Sequence, residues 1–425
     1  MLLASAALAQ EPVINPAVAT QYFREAKALS EKDAGALWGV RLYGPTLLAD
    51  PETRVVVANQ ADDEGHLEPV GEVYTGKLPA EVPIANTAVR WAGVEWTMIM
   101  WPLPRYRQER LRLMMHESFH RIQKQIGLPA MDSVNNHLDS RDGRVWLLLE
   151  WRALTRALWS TGPARRKAIE SALYFRAYRR SLFPQAAANE NALEMNEGLA
   201  EYTGYALSSA APREFEMRAA LNTQDAQYRQ TFVRSFAYVS GPVYGCLLDE
   251  SRLPWRKLAK KEGDLGALLA RAYGIHLGPV TKSAAAERAA RYDGDEVFAL
   301  EDKREAQRQK VVAEYRARVI DGPVLVLPLG PNVQWGFDPN NVAALDENST
   351  VYPTLHLQDD WGTLEVSKGA LMVRENGHFA RCQVSAPKDA AAREGEGWKL
   401  ELKPGWVLAP GPRAGDFTVK REGTQ

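Results

Sequence analysis

Apolar positions along the 425-residue chain change their period twice. Residues 17–37 carry them at helical spacing. From 38 to 104, short alternating or wholly apolar runs take over at 38–48, 54–59 and 70–75. Asp50-Pro51, Asp62-Asp63-Glu64-Gly65 and the segment from Pro79 to Pro83 punctuate these runs, so strands joined by turns are predicted. Residues 88–102 predict a hairpin with Ala92-Gly93 at its tip. Its second arm, 95–101, is apolar on both faces and is expected to be buried or covered by a ligand. Between 105 and 319 the helical period dominates, predicting helices over 108–126, 144–159, 163–181, 189–208, 223–237, 242–249 and 284–319. After Asp321-Gly322-Pro323 the strand pattern returns at 324–329, 351–357, 363–373, 380–384 and 398–402. The expectation is an α+β protein with a β-rich N-terminal part over 10–104, a mainly helical domain over 105–321, and a C-terminal β domain over 322–425 that folds separately.

Composition narrows the function classes. Hydrophobic residues make up 45% of the chain, enough to bury a large core. Fifty-two Lys and Arg against fifty-three Asp and Glu leave a net charge of −1 without a basic block. Nothing therefore points to nucleic acid or an anionic membrane surface, and the expected partner is small or peptidic. No run of eighteen or more apolar residues suggests a membrane span. Residues 1–10 read MLLASAALAQ, and Ala7-Leu8-Ala9 has the A-x-A form that a signal peptidase accepts. Residues 1–9 are read as the tail of a signal peptide, so a periplasmic or secreted protein is expected. Cys246 and Cys382 lie 136 residues apart and read equally well as one disulfide or two buried thiols.

The candidate chemistry lies in Met115-His116-Glu117-Ser118-Phe119-His120-Arg121, an H-E-x-x-H pattern within a predicted helix. Two histidines four apart sit about 40° apart around a helix and roughly 6 Å apart along it, so both imidazoles can converge on one metal ion. Glu117 flanks that position and is placed to take a proton from water there. Leu111, Met115, Phe119 and Ile122 form an apolar stripe, so the histidines border a buried face.

A metal held by two histidines needs a third protein ligand. A metzincin would need Gly at 123 and His at 126, where this chain has Gln123 and Ile126. His137 lies in a polar Asn135-Asn136-His137 turn without motif spacing. Glu150, a lone carboxylate in Leu147-Leu148-Leu149-Glu150-Trp151, demands a partner and is a rival ligand, with Arg121 a cross-helix candidate for a structural ion pair. The stronger candidate is Glu197 in Asn196-Glu197-Gly198-Leu199-Ala200-Glu201-Tyr202. There Glu190, Glu194, Glu197 and Glu201 stack along one helix face, and four like charges call for something cationic.

Together, H-E-x-x-H and Asn196-Glu197-Gly198-Leu199-Ala200 resemble the gluzincin metallopeptidases, the thermolysin-like and aminopeptidase N-like enzymes. The resemblance implies Zn²⁺ held by His116, His120 and Glu197, Glu117 as general base, and Glu201 orienting a ligating imidazole. Tyr238-Val239-Ser240-Gly241 is similar to the Y-x-x-G segment whose Tyr stabilises the oxyanion, with Tyr244 a nearby rival. Ala92-Gly93-Val94-Glu95-Trp96 weakly resembles the G-A-M-E-N segment, which would give Glu95 a substrate-binding role; the following Asn is absent. Glu197 follows His120 by 77 residues, far beyond the connection usual in those enzymes. The resemblance covers about residues 95–249 and implies an exported hydrolase acting on peptide or protein substrates. The competing class is a non-catalytic peptide-binding or structural protein that retains the zinc site.

Overall fold

The computed structural model describes residues 13–128, 130–131, 133–331, 333–338 and 341–423. The expected signal-peptide tail lies outside them. The protein is α+β, and its chain divides into two compact units. The first runs to Ala130 and takes in Ala200–Phe215; the second comprises Met131–Leu199 and the chain from Glu216 onward.

In the first unit, helix α1 (Pro16–Asp33) starts where Asn15 accepts from the amides of Ala17 and Val18, with Pro16 at the first helical position. Strands β1 (Thr46–Ala49), β2 (Val55–Ala58), β3 (Glu68–Val70), β4 (Val73–Lys77), β5 (Thr87–Trp91) and β6 (Val94–Met100) form one sheet in the order β3-β4-β2-β1-β6-β5. Only β1 and β6 pair in parallel, with Leu47 opposite Met98. The doubly apolar β6 is an interior strand. Ile99, with Leu48 and Val57, packs against Phe23 and Ala26 of α1 and against Leu111, Met114 and Met115 of α2 (Arg107–Gln123). Trp96 and Met98 join Leu47, Val56 and Trp91 on the opposite face. The strand predicted over 38–48 is confined to β1. Trp38 instead packs on Phe119 and on Tyr202, and its indole donates to Thr203, tying α2 to the helix that carries Glu201.

In the second unit, α3 (Arg141–Leu158) and α4 (Gly162–Leu182) pack along each other. They are followed by α5 (Ala186–Leu193) and a π turn (Glu194–Gly198), which run without a break into α6 (Leu199–Ser208), whose residues from Ala200 on belong to the first unit. The helix predicted over 223–237 is absent: α7 (Pro212–Ala226) ends early, and α8 (Ala237–Asp249) begins after a turn. Pro242 inside α8 cannot donate to the Tyr238 carbonyl, and Asn222 Nδ2 supplies that bond at 3.2 Å. The single helix predicted over 284–319 is two, Lys282–Ala289 and Gly294–Arg316. Helices Trp255–Glu262 and Leu265–Tyr273 carried no sequence expectation.

The C-terminal region forms a seven-stranded and a five-stranded sheet with a shared core. Two runs read as single strands each split between the sheets. Ser349–Tyr352 and Ala370–Glu375 belong to the larger sheet, Leu355–Asp359 and Gly362–Val366 to the smaller. The chain crosses at Pro353-Thr354 and at Gly369, whose φ of +99° suits glycine. This region does not have a core to itself: Val134 and Val233 belong to it. Buried Asp139 accepts from Ala344 N at 2.9 Å and from Thr231 Oγ1 at 2.7 Å. Asn136 donates to the Asp346 carbonyl and accepts from Thr350 Oγ1. Where a separately folding β domain is expected from the sequence, this region shares its apolar core and these bonds with Val134, Asn136, Asp139, Thr231 and Val233. Cys246 and Cys382 are two buried thiols, each pushed up to about 12 by burial.

Candidate metal centre

Helix α2 carries His116, Glu117 and His120 on the side that borders its buried stripe, and His116 and Glu117 are both buried. The outer nitrogen of each imidazole meets an oxygen. His116 Nδ1 lies 2.8 Å from Glu201 Oε2, and His120 Nδ1 lies 3.1 Å from Gln123 Oε1. A carboxylate only accepts, and so does an amide oxygen, so both Nδ1 atoms carry the proton and both Nε2 atoms present lone pairs. Those two Nε2 atoms face each other at 3.2 Å. In that tautomer a cation is what would draw the two lone pairs together, the fit expected of two histidines that share a metal. Glu117 Oε1 lies 4.0 Å from His116 Nε2, flanking the same position.

Glu201 is itself fixed. Arg112, one turn before His116, donates to its Oε1 and also to Glu109 at 2.8 Å. Burial alone would lower the Arg112 guanidinium, but the Glu201 carboxylate beside it holds it above its usual value.

Glu197 lies one turn before Glu201 on the same unbroken helical run. Its backbone approaches α8 closely: a Cβ on Gly241 would fall 2.2 Å from the Gly198 carbonyl oxygen. Only glycine fits at 241, which explains the glycine of Tyr-Val-Ser-Gly, while a Cβ on Gly198 would make tight contacts of 3.3 Å with the Ala237 carbonyl oxygen and the Gly241 Cα. The contact brings Tyr238 OH within 2.7 Å of Glu197 Oε2, and Arg234 Nη2 lies 4.0 Å from Oε1. Ligand atoms of His116, His120 and Glu197 lie within 4.8 Å of one another.

The remaining candidates fall elsewhere. Glu150 is fully buried in an ion network: Arg179 Nη1 lies 2.5 Å from Oε2, and Oε1 receives Tyr244 OH at 2.7 Å and Arg176 Nη1 at 3.4 Å. Arg121 is not its partner, since that guanidinium donates to the Leu42 carbonyl. Tyr244 is committed to the same buried network. His137 Nε2 meets Glu190 at 2.9 Å. Glu95 is exposed on β6 opposite Arg90. Of the acidic row, Glu190 is met by Arg179 and Arg180 and Glu194 by Arg176, so the cations it called for include three arginines of α4. Burial opposes ionisation of Glu190, but the Arg179 charge overrides it and holds the carboxyl well below its usual range. Glu194 is pushed upward by burial despite Arg176.

Sequence reasoning missed Arg112, Gln123 and Arg234. Arg112 and Gln123 stand four before His116 and three after His120, spacings that place them beside those rings. Arg234 lies in an irregular turn and gave no such signal. Comparisons with protein families, with curated proteins and with solved structures found no match to this chain.

Proposed function

We propose that this protein is an exported zinc-dependent metallopeptidase of gluzincin type, with its catalytic residues in the helical part of the chain. The observation that carries the reading is the pair of facing Nε2 atoms, with Glu197 completing a two-histidine, one-carboxylate donor set and Glu117 beside it. His116, His120 and Glu197 would hold the metal. That donor set suits zinc and also serves non-haem iron; a carboxylate positioned as a base favours hydrolysis. When bound, the metal supplies Lewis acidity to the scissile carbonyl and acidity to the attacking water. Glu117 accepts the proton of that water and delivers it to the leaving amine. Glu201 keeps the His116 lone pair directed inward, and Gln123 does the same for His120. Tyr238, whose hydroxyl donates to Glu197, would be the donor to an oxyanion.

The test combines elemental analysis of the purified protein with digestion of a peptide library by wild type and Glu117→Gln. The expected result is about one zinc per chain in both proteins and a loss of cleavage on the order of a hundredfold or more in the variant. Iron in place of zinc, or equal turnover by the variant, refutes the peptidase. Zinc without cleavage by wild type establishes the non-catalytic reading instead.

A further inference from the structure

Arg234 is a buried cation in the turn between α7 and α8, and the turn holds it in place. Phe232, Val233 and Phe236 are fully buried, and Ser235 donates to the Thr231 carbonyl at 2.7 Å, so the backbone is fixed on both sides of Arg234. Its side chain is 8% exposed. The guanidinium lies 5.2 Å over the ring of Phe337, on the edge strand Gln334–Phe337 of the five-stranded sheet, and Tyr352 meets that ring edge-on at 4.8 Å. A guanidinium within about 6 Å of a ring face is attracted to it.

Glu197 faces this charge. Arg234 Nη2 lies 4.0 Å from Glu197 Oε1, too far for a hydrogen bond, whereas Tyr238 donates to Oε2 at 2.7 Å. The guanidinium therefore acts on this carboxylate through charge, and it keeps that charge at any pH the protein meets. Arg234, Phe337, Tyr238 and Glu197 all belong to the second unit.

Opposite charges thus stand behind two of the candidate ligands. Behind His116 is the Glu201 carboxylate, which raises the basicity of the imidazole that donates to it. Behind Glu197 is a cation, which does the reverse: it draws charge from the carboxylate and repels a second cation placed against it. A positive charge held in so enclosed a position also stabilises negative charge that develops on a substrate.

We propose that Arg234 is a positioning residue of the metal centre, which places a fixed positive charge behind Glu197, loosens that ligand's hold on the metal and strengthens the pull on the anion formed from a peptide carbonyl. The inference rests on the metallopeptidase reading. Phe337 seats the guanidinium, so the C-terminal sheet contributes to the centre through it. The experiment measures zinc affinity against a chromophoric chelator, and kcat and KM on a peptide that wild type cleaves, for full-length Arg234→Gln, Arg234→Lys and Phe337→Leu. Arg234→Gln is expected to bind zinc about tenfold more tightly and to lose about tenfold in kcat, with KM changed by less than about threefold. A residue serving the fold alone would weaken zinc binding or leave it as it is. Arg234→Lys keeps the charge and is expected to recover most of both changes, and Phe337→Leu, which removes the ring face, to reproduce them in smaller measure. Where Arg234→Gln does not fold, the sign of the change in Phe337→Leu decides. Zinc binding equal to or weaker than wild type in folded Arg234→Gln, or an unchanged kcat, overturns this proposal and leaves the metallopeptidase standing. Wild type that binds no zinc, or binds it and cleaves nothing, removes that reading and this proposal with it.

Discussion

Replacing Glu201 by Gln and by Ala separates the charge that orients His116 from the orientation itself. Glu201 is buried, with one oxygen 2.8 Å from His116 Nδ1 and the other receiving Arg112. Removing such an outer hydrogen bond from a ligating histidine costs about 10–100-fold in metal affinity. That range is about 1.4–2.7 kcal/mol, in line with the roughly 1.5–3 kcal/mol of a hydrogen bond to a charged group. Gln keeps the shape and can accept from only one of its two partners at that oxygen, so a loss near tenfold is expected; Ala releases the ring, and the loss should approach a hundredfold. Stability should fall less than for a fully buried pair. Arg112 is 24% exposed at its side chain and keeps Glu109, so about 1–2 kcal/mol is expected for Ala instead of the 3–5 kcal/mol of an orphaned buried charge. The assay is competition for zinc against a chromophoric chelator, beside thermal melts with and without metal. Affinities within about twofold of wild type in both folded variants would refute the placement of His116 as a ligand needing Glu201.

Glu150→Ala is expected to lose about 1–3 kcal/mol of stability, because it takes the acceptor from buried Tyr244 and one carboxylate from Arg179 and Arg176, which keep Glu190 and Glu194, while zinc stoichiometry stays at wild-type level; denaturant melts and metal analysis read the two separately. A chain ending at Val319 is expected to be insoluble or proteolytically labile, since it uncovers Val134 and Val233 and leaves buried Asp139 without Ala344; limited proteolysis and circular dichroism decide, and a stable, metal-binding fragment would contradict the shared core. Protein expressed with its native leader should be exported and begin near Gln10, which N-terminal sequencing checks; cytoplasmic protein still starting at Met1 would count against export.

What could be read from the sequence was local. The stripe of Leu111, Met115, Phe119 and Ile122 repeats within one helix, so it located α2 and its histidines with no knowledge of what they pack against. The two-faced apolar pattern of residues 95–101 likewise called for cover on both sides, by burial or by a ligand, and the sheet supplies burial. What could not be read depended on partners distant in the chain. A continuous apolar run does not reveal that its halves serve different sheets, as at Pro353 and Gly369, because both sheets bury the same residue types. Nor did Glu150 name its arginine: Arg121 and Arg179 are equal candidates by composition, and only the packing of α4 along α3 selects the second.

The acidic row shows how a local irregularity sorts residues that periodicity treats alike. At 3.6 residues per turn, positions 190, 194, 197 and 201 fall on one face, and the sequence offers no reason to give them different work. The π turn at Glu194–Gly198 accommodates about one extra residue, which offsets the face after it by roughly 100° from the face before it. Glu190 and Glu194 accordingly meet Arg179 and Arg176 of α4, whereas Glu201 meets His116. Glu197, within the irregular turn, meets Tyr238. The close contact between Gly198 and Gly241 sets the turn against α8, beside the bonds of Arg176 to Glu194 and of Tyr238 to Glu197. One inserted residue therefore divides a run of like charges into a buried structural pair and a pair placed at the candidate metal centre.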